Sequence, residues 1–196
     1  MSARCVSLGV GHAERVTDLD AWVDRVRHST SQLLEGFEER LGYPPDRNVV
    51  ITAPGRDGSR LSGQLKHDAV APPSVLEFFD AIEEVSLPDV WNGYFLGPVS
   101  RLIATHAERA PRWLMLDGRQ VEILVIGSDG GGALYVVGTD EDGAVFRVEE
   151  GAVTDGVLRA ATEDQIRRLS TTFAGFLELW ASELESFAAG CATPSF

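Results

Sequence analysis

Ile126-Gly127-Ser128-Asp129-Gly130-Gly131-Gly132-Ala133-Leu134-Tyr135 is the stretch whose reading decides the fold. Three successive glycines suggest a phosphate cradle, but such a loop requires a following Lys-Ser or Lys-Thr and a helix. Here Ala133-Leu134-Tyr135 follows and an apolar, strand-like run resumes. The glycines therefore read as a hairpin turn that needs their backbone freedom. Outward from this turn, Arg112 to Leu116, Val121 to Ser128, Ala133 to Gly138, Ala144 to Glu149 and Ala152 to Leu158 read as short strands. Asp117-Gly118 and Asp142-Gly143 supply the positive backbone angles of tight hairpins, so the segment is expected to be an antiparallel meander.

Helical periodicity flanks the meander. Leu19, Trp22, Val23, Val26, Leu33, Leu34, Phe37 and Leu41 recur at three- and four-residue steps, predicting a helix from Asp18 to Leu41 with Thr17 or Asp18 as its cap. Gly42-Tyr43-Pro44-Pro45 ends it, and Asn48 to Thr52 follows as a strand. Ala53 to Gly58 reads as a loop and Ser59 to Lys66 as a short helix. Pro72-Pro73 opens a helix expected to run from Val75 to Val85. Val90 to Leu96 is a strand or a buried loop, and Val99 to Arg109 is helical. Ile166, Leu169, Phe173, Phe176, Leu177, Trp180, Leu184 and Phe187 predict a closing helix from Thr162 to Ala188, capped by Thr162.

Helices before and after a meander, with no strand–helix alternation, predict an α+β fold with helices packed on one side of an antiparallel sheet. Residues 1–47 are expected to be an N-terminal helical extension and residues 48–190 the α+β domain. The 196 residues suit one core, and hydrophobic and charged fractions of 44% and 24% are those of an ordinary globular chain.

Charge and cysteine content narrow the function. Lys and Arg number 17 against 30 Asp and Glu, for a formal charge of −13, so a polyanion would be repelled and nucleic-acid binding is not expected. The same balance suits a basic protein partner, with simple solubility as the plainer explanation. Apolar runs fall short of a membrane span and Met1 to Val16 lacks a secretory pattern, so neither membrane nor export is expected. Cys5 and Cys191 make neither a disulfide framework nor a zinc signature, which fits a reducing cytoplasm.

No catalytic constellation is evident, and no enzyme activity, metal or cofactor is expected. His12, His28, His67 and His106 lack ligand spacing, and no serine elbow is present. Asp140, Glu141 and Asp142 with Glu149 and Glu150 do not match a calcium loop. They are solvated hairpin residues or, if functional, the contact for a basic partner. Trp91, Asn92, Tyr94 and Phe95 could line an aromatic pocket, although clustered aromatics beside a turn usually belong to packing.

Three stretches together resemble the SUKH superfamily of fungal cell-wall regulators and bacterial immunity proteins. They are Leu87-Pro88-Asp89-Val90-Trp91-Asn92-Gly93-Tyr94-Phe95, the Ile126 to Tyr135 hairpin, and Gly143-Ala144-Val145-Phe146-Arg147-Val148. Their order agrees with that family: a helix and proline-rich lead-in, an Asn-Gly-Tyr segment, a Gly-Ser-Asp-Gly-Gly-Gly hairpin, an Asp-Gly hairpin and a closing helix. The resemblance covers roughly residues 49–187. It implies that 48–190 is a SUKH-like domain without catalytic residues, and that Trp91, Asn92, Gly93, Tyr94, Asp129, Gly130, Gly131 and Gly132 are structural. It further implies a non-catalytic protein-binding module, of which many bacterial members neutralise toxins, often nucleases or deaminases. The alternative is a solitary cytoplasmic regulatory or scaffolding protein with a host partner.

Overall fold

The computed structural model describes residues 18–53, 71–98, 100–102, 111–139, 143–149 and 151–191. Asp18 caps α1 (Leu19–Leu34), its carboxylate accepting from the Ala21 amide at 3.2 Å. The expected single helix to Leu41 is two. Glu35 is extended and Gly36 adopts φ +62°, so the chain turns before α2 (Phe37–Leu41). Arg40 then donates to the Leu33 carbonyl at 2.7 Å, capping the interrupted end of α1.

After β1 (Val49–Thr52) come α3 (Pro73–Ala81) and, directly, β2 (Ile82–Leu87). The helix expected to reach Val85 therefore stops four residues earlier. Val85 and Leu87 are more stably placed as strand residues between β1 and β3 (Tyr94–Leu96), where Val85 pairs with both Val50 and Leu96. The expected helix over Ser59 to Lys66 lies outside the described residues. Of the one expected over Val99 to Arg109, residues 100–102 are described, and they are helical.

The meander comprises β4 (Trp113–Leu116), β5 (Arg119–Asp129), β6 (Leu134–Gly138) and β7 (Val145–Val148). Asp117 and Gly118, at φ +49° and +74°, make the two-residue turn between β4 and β5. The strand expected over Ala152 to Leu158 is itself a hairpin, β8 (Gly151–Thr154) and β9 (Val157–Ala160), folded at Asp155-Gly156. The long closing helix is also divided. Thr162 opens a 3-10 turn (Glu163–Gln165), β10 (Ile166–Ser170) pairs with β7, and α4 (Phe173–Ala188) starts at a second cap, Thr172. Ile166 and Leu169 keep helical spacing with Phe173, yet β7 needs a neighbour for its open edge, and that pairing overrides local period.

Among the described residues ten strands form one sheet in the order β1-β2-β3-β5-β4-β9-β8, with β6, β7 and β10 continuing from the other edge of β5. All pairs are antiparallel except β4 with β9. The fold is α+β with the helices on one side, as expected. Along β6 and β7, Tyr135, Val137 and Val145 face the helices, whereas Val136, Phe146 and Val148 join Leu114 and Leu158 in a second cluster on the other face. Residues 19–34, read as part of an N-terminal extension, enter the main core. Trp22 stacks on Trp180 at 5.6 Å, meets Phe78 edge-on at 5.5 Å and donates its indole N–H to the Leu177 carbonyl at 2.8 Å. No helix among the described residues is long and apolar enough to cross a membrane.

Candidate binding surface

The turn between β2 and β3 and the glycine hairpin after β5 meet at one end of the sheet. Antiparallel pairing sets Tyr94 opposite Asp129 and Phe95 opposite Ser128, which brings Trp91-Asn92-Gly93 against Gly130-Gly131-Gly132. The Gly130 amide donates to the Gly93 carbonyl at 3.0 Å. A Cβ on Gly130 would lie 1.9 Å from the Asn92 carbonyl oxygen, and one on Gly127 would lie 2.1 Å from that of Phe95. Two glycines of the motif are thus required by close approach of the β2–β3 turn and of β3, in addition to Gly132, which turns the chain at φ +93°.

Asp129 is the hub, and its carboxylate is buried. One oxygen accepts from the Gly131 and Ala133 amides, both at 2.9 Å. The other accepts from Arg147 Nη2 at 2.8 Å and Nε at 3.2 Å. Arg147 also pairs with Glu149, whose side chain is exposed. Burial lowers the tendency of Arg147 to hold its proton, but the bonds to Asp129 and Glu149 outweigh it and the net direction is up. Tyr94 and Tyr135 stand beside this pair, and burial pushes both phenols well above the ordinary tyrosine range, with the Asp129 charge adding to the effect. With its donors and acceptors turned inward on one another, the motif acts chemically as a clamp on two strands and a turn.

Trp91 sits outside that clamp. The residue is 54% exposed although its backbone occupies the left-handed region, φ +52°. That conformation costs a bulky residue roughly 1–2 kcal/mol. It is imposed from both sides: the Gly93 amide donates to the Val90 carbonyl at 2.8 Å, and Asp89 exchanges bonds with Asn48, amide to amide oxygen at 3.3 Å and Asn48 Nδ2 to carboxylate at 2.6 Å. The indole meets Phe187 of α4 edge-on at 5.7 Å.

The structure brings together Trp91, Asn92, Gly93, Tyr94, Asp129, Gly130, Gly131 and Gly132, and adds Glu149 through Arg147. Asp140, Glu141, Asp142 and Glu150 lie outside the described residues. The aromatic pocket does not form, because strand alternation sends Tyr94 into the core and Phe95 to the opposite face, where it lines a cleft of about 360 Å³ with Val125 and Leu134. Arg147, read only as part of the third motif, and Phe187, read only as part of the closing helix, were not singled out as site residues. An arginine between Phe146 and Val148, both buried, carries the signal of a charge that must find an internal partner.

Among the described residues no group of His, Cys, Asp and Glu is placed to hold a metal ion. Comparison with family models, with curated proteins and with solved structures returns no match.

Proposed function

We propose that this chain is a non-catalytic, SUKH-like protein-binding module whose partner is a basic protein, with toxin neutralisation as its role. The observation that carries this reading is the excess of 30 acidic over 17 basic residues. Such a surface accelerates encounter with a positively charged partner and disfavours acidic ones. The resemblance to immunity proteins supports it through the order of the Asn-Gly-Tyr, glycine-hairpin and Asp-Gly motifs. The inward engagement of Asp129 and Arg147 agrees with a rigid scaffold. Neutralisation would work by covering the toxin's active surface, burying on the order of 1,200–2,000 Å² in total.

The cytoplasm is the compartment proposed, because the nucleases and deaminases that the resemblance implies have their substrates there. The cysteines lend this no support, since Cys191, the described one, is not a free thiol. Fractionation of the host cell tests the placement, and recovery outside the cytoplasm would overturn it.

The partner reading is tested by affinity capture from the native host's lysate at low and high salt, then binding of each retained protein in purified form. A basic toxin that binds, dissociates with added salt and loses activity on binding supports the proposal. Specific binding of an acidic or regulatory host protein, with no toxin recovered, would replace it with the solitary regulatory role.

A further inference from the structure

We propose that Trp91 is the anchor of the docking surface, and that its occupant is a basic protein segment laying an arginine or lysine side chain on the exposed indole. This rests on the protein-binding reading above and locates it. A tryptophan with more than half of its surface in water, in a backbone conformation that bulky side chains avoid, contributes little to the fold that holds it. The bonds of Asn48, Asp89, Gly93 and Gly130 force the turn, and the turn in turn presents the ring. Such over-determined exposure suits an anchor, because a pre-ordered aromatic loses little freedom on binding and tryptophan is prominent among residues that dominate interfaces.

The charge of the chain selects the occupant. Glu183 lies one helical turn before Phe187, on the face of α4 that meets Trp91, and its charge is felt at the Tyr94 hydroxyl. Asp89 is two residues from Trp91. An exposed aromatic face on a chain of formal charge −13 attracts a cation by the ring quadrupole and by the acidic excess together.

The test uses the full chain labelled with nitrogen-15 and a synthetic peptide of alternating arginine and serine, with a glutamate–serine peptide as control. The indole N–H signals of Trp22, Trp91, Trp113 and Trp180 are followed by NMR. The expected result is movement of the Trp91 signal alone, with the arginine peptide alone. Trp91→Gly relieves the left-handed strain, so its Tm should equal or exceed that of the parent while its affinity for the peptide falls by about tenfold or more. Trp91→Phe should recover part of the binding, and Trp113→Ala, at another exposed tryptophan, should change nothing. Binding of the arginine peptide that is undiminished in Trp91→Gly would overturn the anchor and leave the basic-partner reading standing. Failure of the parent chain to bind the arginine peptide would overturn both.

Discussion

A single oxygen of Asp129 receives both Nη2 and Nε of Arg147, at 2.8 and 3.2 Å, while the other oxygen receives two backbone amides of the glycine hairpin. The side chains are 2% and 19% exposed, so each is a charge out of water that the other compensates. Removing Arg147 leaves the buried Asp129 carboxylate with two amides and no cation, and removing Asp129 leaves Arg147 with the exposed Glu149 as its remaining ion-pair partner here, the costly half of the asymmetry between breaking and replacing an ion pair. Asp129→Ala and Arg147→Met should each lose about 3–5 kcal/mol in urea unfolding. The double variant should lose clearly less than their sum. Additive losses would show that the two groups do not depend on each other.

Gly130 and Gly118 separate close approach from backbone angle. A Cβ on Gly130 would collide with the Asn92 carbonyl, whereas at Gly118, φ +74°, nothing lies within 4 Å of one. Gly118→Ala should cost roughly 1–2 kcal/mol, the left-handed penalty. Gly130→Ala should cost about 3 kcal/mol or more, because backbone on both sides must move. Equal losses at the two sites, measured by chemical denaturation, would contradict the packing described here.

The buried phenols of Tyr94 and Tyr135 predict a limit on the alkaline side. Burial raises both above the ordinary value of 10.0, so the folded protein keeps protons that the unfolded chain releases. Stability from these groups is complete below pH 10 and declines as pH rises above it, since there the unfolded state binds fewer protons. Urea midpoints measured from pH 8 to 12 should fall above about pH 10. The fall should be shallower in Tyr94→Phe and Tyr135→Phe.

Arg25 joins α1 to α4, contacting Glu178 at 2.8 Å and Glu185 at 2.7 and 3.1 Å. The hydrogen bond to Glu185, ahead of that to Glu178, makes the guanidinium hold its proton more tightly. The three side chains are 33%, 53% and 43% exposed, so Arg25→Met should cost only about 1 kcal/mol or less, and still less in 1 M salt. Trp22, on the same helix and 1% exposed, is of another order. Trp22→Ala should lose about 3–5 kcal/mol. A chain starting at residue 48 would bare the face of α4 that Trp22 covers, and by circular dichroism it should not fold cooperatively.

Much of this protein was legible one segment at a time. Asp117-Gly118 makes a hairpin from its own backbone preferences, strand alternation marks β5 to β7, and the apolar stripe from Phe173 to Phe187 gives α4 its buried face. Each is a short-range fact of backbone angle or side-chain period. What lay beyond reach were choices between locally equal options. Ile166 and Leu169 fit a helix until the open edge of β7 takes them as strand, and Val85 fits α3 until β1 and β3 flank it. The cause is that backbone donors and acceptors must be satisfied, and the sheet edge that satisfies them is distant in sequence.

The candidate surface divides in the same way. The motif residues drew attention by their order, and the glycines by their type, yet Asn92 against Gly130, Asp129 with Arg147, and Trp91 on Phe187 are contacts between segments that only the folded chain brings together. By itself the sequence determined the α+β class, the hairpins and the acidic balance, because angle, period and charge are properties of residues and near neighbours. The tertiary structure alone decided that Asp129 is bound inward and Trp91 faces out, because burial is a property of what else packs at the same place.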